Sequence, residues 1–194
     1  MANHSSSVNN SSNRLAETLA RLRARPAEAL ARRRVALGFI AGIATLVLAR
    51  PTWTTWRAGL VVALIGEAIR VWAAGHLEKS REVTRSGPYR WTSHPLYLGS
   101  SILALGVIVA ARSIVVGVVV ACYMAVTITA AIRTEEAFLR RTFGAAYEEY
   151  KRSAGPMAER RFSPARAMRN REYRAVAGLV LGFGILALKI VLSI

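Results

Sequence analysis

Gly87-Pro88-Tyr89-Arg90-Trp91-Thr92-Ser93-His94-Pro95-Leu96-Tyr97-Leu98-Gly99 opens an apolar tract that runs on to Ile132, and Arg133-Thr134-Glu135-Glu136 closes it. Ionisable groups at the edge of a bilayer are costly to bury, so they mark a site more often than a scaffold. Leu96 to Ile132 is long enough for two helices, divided at Ala111-Arg112. Two antiparallel crossings return both polar motifs to the same membrane face.

Working outward, the rest of the chain has the same patterning. Apolar residues make up 53% of 194 residues, yet the formal charge is +16. The two properties are segregated, long apolar runs alternating with basic connections, which is membrane patterning and not that of a globular core. Five spans are predicted at about 35–49, 58–75, 96–111, 113–132 and 175–194, within a membrane domain covering 35–194. A crossing helix needs about 20 residues, with a range of about 17–25. The first and third spans therefore borrow flanking positions. The predicted fold is an all-α integral membrane protein with about five transmembrane helices, its site built from helix ends and loops.

Lys and Arg set the orientation. Twenty-two of the 27 lie before the first span, between the second and third, or between the fourth and fifth. The opposite face has Arg50, Arg57 and Arg112, with Lys189 near the C-terminus. Short cytoplasmic loops are basic, so the N-terminus and both motifs are expected in the cytoplasm and the C-terminus outside. Attraction to anionic membrane lipids accounts for the charge excess. A nucleic-acid partner is not expected, because no aromatic-basic platform accompanies it.

Residues 1–34 divide in two. Residues 1–13 are Ser/Asn-rich and expected to be disordered. Residues 14–34 carry Leu15, Leu19 and Leu22 at helical spacing among arginines, an expected interfacial helix. An Arg-rich, acid-poor start also fits an organelle transit peptide, but its direct continuation into the first span argues against cleavage.

Several chemistries find no support. Cys122 is alone and centred in the fourth span, so it reads as a packing residue. Asp is absent, and His4, His76 and His94 lack metal-ligand spacing, so no metal site is expected. Gly178, Gly182 and Gly184 lie inside an apolar span instead of between a strand and a helix, so they do not make a phosphate loop. Close helix packing is the expectation for them.

The first motif can hold a small polar ligand. Gly87-Pro88 predicts a turn that delivers Tyr89 and Trp91 to the interface. Pro95 fits the first turn of the third span. The opening N–H groups of that helix suit a carboxylate. His94 adds a hydrogen bond, Tyr97 lies one turn onward, and Gly99 lets a ligand approach closely. The bland alternative is a helix cap with an aromatic interfacial belt. Glu135 and Glu136 point about 100° apart on a helix. One can then face a bound ligand and the other the substrate or Arg133, the bland alternative being the solvated start of an amphipathic helix. In the second span Glu67 and Arg70 are three apart and share a face, as an ion pair or as a cavity lining.

With its closing pair, this motif resembles the isoprenylcysteine carboxyl methyltransferase and phospholipid N-methyltransferase superfamily, in its bacterial form. Members carry Arg-His-Pro-x-Tyr-x-Gly where this chain has Ser93-His94-Pro95-Leu96-Tyr97-Leu98-Gly99. Ser93 stands in place of the arginine, and Arg90 is the nearby basic residue. Arg133-Thr134-Glu135-Glu136, Phe143-Gly144 and Tyr147-Glu148-Glu149-Tyr150-Lys151 match the second motif, and the likeness covers about 59–156.

The resemblance implies transfer of a methyl group from S-adenosylmethionine, leaving S-adenosylhomocysteine, to a carboxylate or amine on a lipid-like substrate. On this reading Gly87, Tyr89, His94, Pro95, Tyr97, Leu98, Gly99, Glu135 and Glu136 are expected at the cofactor, and at the reaction Arg133 or Arg70 to hold an anionic acceptor, or Glu136 beside an amine. It also implies the bacterial inner membrane. Rate in such a transfer comes from alignment and exclusion of water. An NADPH-dependent membrane reductase of related fold and a non-enzymatic membrane binding protein or small transporter are the alternatives.

Overall fold

The computed structural model describes residues 36–152 and 159–192. The chain divides into two units, Met1–Phe39 and Ile40–Ile194, and the packed helices belong to the second. The disordered tail and interfacial helix expected over 1–34 lie outside the described residues.

Among the described residues the fold is all helical. Helix α1 is Ala36–Leu48. It is followed by α2 (Trp53–His76), a 3₁₀ turn (Gly87–Arg90), α3 (Pro95–Ala111), α4 (Ile114–Phe143), α5 (Ala145–Lys151), α6 (Pro164–Arg169) and α7 (Tyr173–Val191). Helices α2, α4 and α7 are long and apolar enough to cross a membrane, and α1 and α3 are shorter apolar helices. All five expected spans are thus helical, but two are short for a full crossing. A left-handed residue, Arg112 (φ 47°), stops α3, and Ser113 caps the start of α4 by accepting from the Val116 amide. Two residues therefore turn the chain back on itself. Thr52 and Thr55 form a reciprocal capping box that starts α2.

Helices α2 and α3 meet through glycine. A methyl group placed on Gly66 would lie 2.6 Å from the Gly99 carbonyl oxygen, and one on Gly99 would lie 2.7 Å from that of Gly66. Gly59 and Gly106 meet in the same way one layer further along. Small residues let two backbones approach closely, which is how helices associate where lipid removes the hydrophobic drive. The close packing expected at Gly178, Gly182 and Gly184 is corrected here. Among the described residues, no atom of a neighbouring element lies within 4 Å of a Cβ built on any of them. Helix α7 packs instead through Leu179, Phe183 and Leu186, spaced four and three apart on one face.

The helix ends sort into two groups. At one end the Arg50 amide donates to Ala111 O, Trp56 Nε1 donates to Phe183 O, and Lys189 Nζ donates to Leu46 O and Val47 O. Lys189 thereby satisfies carbonyls left unpaired where α1 ends, with charge of the favourable sign. The opposite end gathers the end of α2, the 3₁₀ turn, the start of α3, the polar end of α4, α5, α6 and the start of α7. Both sequence motifs lie there, as their spacing predicts. Large apolar side chains along the outer faces, such as Ile114, Val180 and Leu105, are exposed, as lipid contact requires.

Candidate functional site

The first motif folds as a turn followed by a helix start. Gly87 has φ +57°, and a Cβ there would lie 2.6 Å from the His76 ring, so both backbone and space demand glycine. This turn buries Tyr89, and burial holds its phenol above the ordinary range. Trp91 is exposed with its ring 5.4 Å from that of Trp72. His94 is the N-cap of α3, and fully buried Pro95 occupies the first turn.

Helix α4 continues 11 residues beyond Ile132, carrying Glu135 and Glu136 past the apolar tract to His94. His94 Nε2 lies 3.3 Å from Glu136 Oε1, and Nδ1 lies 3.8 Å from Glu135 Oε2. The imidazole is thus held between two neighbouring carboxylates on an adjacent helix. The Tyr97 ring centroid is 5.7 Å from that of His94. Lys151 Nζ donates to Glu136 Oε1 at 2.8 Å, and Arg140 Nη2 lies 3.6 Å from Glu136 Oε2.

Lys151 reaches the site because Gly144 (φ +47°) breaks the helix and α5 departs in a new direction. Helix α5 then docks on the first motif. Tyr150 OH donates to Tyr89 O at 2.9 Å, and Arg85 Nη2 donates to Ala146 O at 2.7 Å. Helix α5 therefore meets this loop through Tyr150 and the Ala146 carbonyl. Tyr147 is fully buried, and burial pushes its phenol up to about 12. Its hydroxyl and His94 Nδ1 are buried without a hydrogen-bond partner among the described residues.

The structure therefore brings together His94, Tyr97, Glu135 and Glu136, with Gly87, Tyr89 and Pro95 supporting them. Leu98 is half exposed one turn onward. Gly99 does not open toward a ligand, because the Arg70 side chain and the α2 backbone fill that space. Arg70 lies deeper and is engaged on three sides. Its Nη2 is 2.7 Å from Glu172 Oε1, its Nε is 3.4 Å from Glu67 Oε2, and Nη1 donates to Ser100 Oγ. Arg133 is exposed and makes no ion pair among the described residues. Among the described residues neither Glu135 nor Glu136 pairs with Arg133, and Glu136 is held instead by Lys151, Arg140 and His94. Sequence reasoning assigned no role to Lys151, Arg140 or Glu172. Tyr150-Lys151 and Glu172 stand in motifs visible in the chain, but their targets are set by the turn at Gly144 and the return of α7.

The sequence profile of a family described as phospholipid methyltransferase matches residues 37–146, more than half of the 194-residue chain. The chain belongs to the phospholipid methyltransferase family. With it comes membership of the isoprenylcysteine/phospholipid methyltransferase superfamily. His94, Glu135 and Glu136 lie inside the family region, whereas Lys151, α6 and α7 lie beyond it. The chain is also similar to the cobalt-zinc-cadmium resistance protein CzcN of Cupriavidus metallidurans, 32% identical over 128 residues, 61% of this chain and 58% of that protein. A nickel-cobalt-cadmium resistance protein, NccN, of Alcaligenes xylosoxydans xylosoxydans is 31% identical over 96 residues, 48% of this chain and 43% of that protein. The chain thus spans about half the length of these curated relatives. No solved structure matches this family member significantly.

Proposed function

We propose that this protein transfers a methyl group from S-adenosylmethionine to the polar head of a lipid-like acceptor at the cytoplasmic face of a bacterial inner membrane. The observation that carries the reading is the cluster of His94, Glu135 and Glu136, beside which His94 Nδ1 and Tyr147 OH are buried without a hydrogen-bond partner among the described residues. The residues fit the group. Carboxylates suit its ammonium, sulfonium and ribose hydroxyls, and His94 Nδ1 and Tyr147 OH offer further hydrogen bonds.

When bound, the cofactor supplies an activated methyl group that an acceptor nucleophile takes as sulfur departs with the bonding pair. Glu135, with fewer partners than Glu136, would hold polar groups of the cofactor. Glu136, pinned by Lys151 and His94, keeps the imidazole oriented. Tyr89, Pro95 and Tyr150 fix the motif backbone. Leu98 and the start of α3 would form an apolar wall that excludes water.

Arg133, exposed at the end of the apolar part of α4, is placed to hold an anionic portion of the acceptor. Arg70 already faces two carboxylates, so its charge is not available to a third. We assign it to fixing α2 against α3. The basic loops around this end support a cytoplasmic orientation, which cysteine accessibility labelling on a background lacking Cys122 would test.

The metal-resistance names belong to the two relatives. Among the described residues no group of three or more His, Cys, Asp and Glu is arranged to hold a metal ion. The deciding test titrates the detergent-solubilised protein with S-adenosylhomocysteine and, separately, NADPH. Saturable binding of the first and none of the second is expected. The reverse would favour a reductase, and binding of neither would remove the cofactor reading.

A further inference from the structure

The C-terminal segment beyond the family region does more than add a helix. Helix α2 ends at His76, and the loop 77–94 that carries the motif starts there. The last carbonyls of a helix have no intrahelical partner. Here four successive carbonyls, from Ala74 to Leu77, are taken by the segment 160–170. Asn170 Nδ2 donates to Ala74 O at 2.8 Å and to Leu77 O at 2.9 Å. The Ser163 amide donates to Gly75 O at 3.1 Å, and Arg160 Nη1 donates to His76 O at 3.4 Å. Arg166 Nε donates to Glu78 Oε1 at 2.7 Å, just inside the loop.

The same segment reaches the motif through packing. The Phe162 ring lies against Gly75 and 6.1 Å from the His76 ring. His76 in turn is the surface on which Gly87 rests. Arg160 Nη1 also pairs with Glu82 Oε1, in the middle of the loop, at 2.6 Å. Arg160, Phe162, Ser163, Arg166 and Asn170 thus hold both the root and the body of the loop that ends at His94.

We propose that residues 160–170 are a positioning element for the candidate site, with Asn170 as its central positioning residue. None of these side chains hydrogen-bonds or pairs with His94, Glu135 or Glu136 (whose ion pairs are with one another, Lys151 and Arg140), so the element acts on the site through α2 and the loop. The inference rests on the cofactor reading only for its effect on binding. Its effect on the loop stands apart from that reading.

The test compares full-length wild type, Asn170→Ala and Leu186→Ala, which opens the core at the opposite end of α7. Hydrogen exchange over residues 77–94 and titration with S-adenosylhomocysteine are the readouts. Asn170→Ala is expected to speed exchange across the loop and to weaken binding roughly tenfold, about 1.4 kcal/mol. Leu186→Ala is expected to lower the unfolding temperature and change neither. Should Asn170→Ala fail to fold, Arg160→Gln, which removes the partly exposed link to Glu82, is read in the same way.

Unchanged loop exchange in the folded variants would overturn the proposal. So would equal effects from Leu186→Ala, which would reduce the element to general stability. If wild type binds no S-adenosylhomocysteine, the cofactor reading fails while faster loop exchange still supports the positioning role.

Discussion

His94 lies between Glu135 and Glu136, but the two carboxylates are unequally engaged. Glu136 has Lys151 and Arg140 as further partners, whereas Glu135 is more exposed. Hydrogen bonds to charged groups are worth about 1.5–3 kcal/mol each. Glu135→Gln and Glu136→Gln are each expected to weaken S-adenosylhomocysteine binding by roughly tenfold to a hundredfold. Glu136→Gln should also loosen α5, because it breaks the bond that holds Lys151. Calorimetric titration of the folded variants checks the first effect and limited proteolysis near Gly144 the second. Unaltered affinity in both would make the pair surface charges. Tyr147 gives a sharper case. Its hydroxyl is buried without a hydrogen-bond partner among the described residues, and an unsatisfied buried group costs about 1–3 kcal/mol. Tyr147→Phe should therefore leave the unfolding temperature unchanged or raise it, while lowering cofactor affinity. A fall in stability would show that the hydroxyl has a structural partner.

Among the elements, the α2–α3 pair has the least tolerance. Gly66→Ala would drive a methyl group against the Gly99 carbonyl, so a cost of about 1–3 kcal/mol is expected from overpacking. Gly182→Ala meets open space and should be neutral or favourable by up to about 1 kcal/mol through helix propensity. Unfolding titrations in mixed micelles compare the two, and equal costs would contradict the packing account. The contrast also marks what the chain made legible. The length of apolar runs placed the helices, and polar residues at their ends placed His94, Glu135 and Glu136 at one end. Which glycines pack was not legible, since Gly66 and Gly99 look no different from Gly178 and Gly182 until the facing helix is known. Lys151 and Glu172 were hidden for a related reason: their partners lie across a chain reversal. Glu78 shows another long-range pairing. A hydrogen bond from Arg166, then the charges of Arg166, Arg169 and Arg160, hold its carboxyl below the ordinary value of 4.5. A depressed folded value means its contribution is present above pH 4.5 and is lost as pH falls through the folded value. Glu78→Gln should flatten the acid limb of the unfolding-temperature profile between these limits. An identical profile would make the Glu78–Arg166 ion pair energetically silent.

At the scale of the whole molecule, the candidate site lies at one end of a bundle whose outer faces are apolar. Helix α4 is the least enclosed, with Ile114, Val115, Val118 and Val126 exposed along it. Under the proposed function, an acceptor with a lipid tail would lie along α4 with its head at Arg133 and Glu136. Lengthening the tail should improve apparent affinity by about 0.8 kcal/mol per buried methylene until the apolar surface is covered. A homologous series of acceptors checks this, and equal reaction of short, water-soluble ones would show that entry from the lipid is wrong. The central claim is methyl transfer to lipid, and labelled methyl transfer addresses it most directly. Wild-type protein in vesicles of bacterial lipid extract, supplied with S-adenosylmethionine carrying a radioactive methyl group, should move label into the organic phase. Glu135→Gln should slow that transfer at limiting cofactor. Label that stays in the aqueous phase, or enters lipid at the same rate with empty vesicles, would contradict the account.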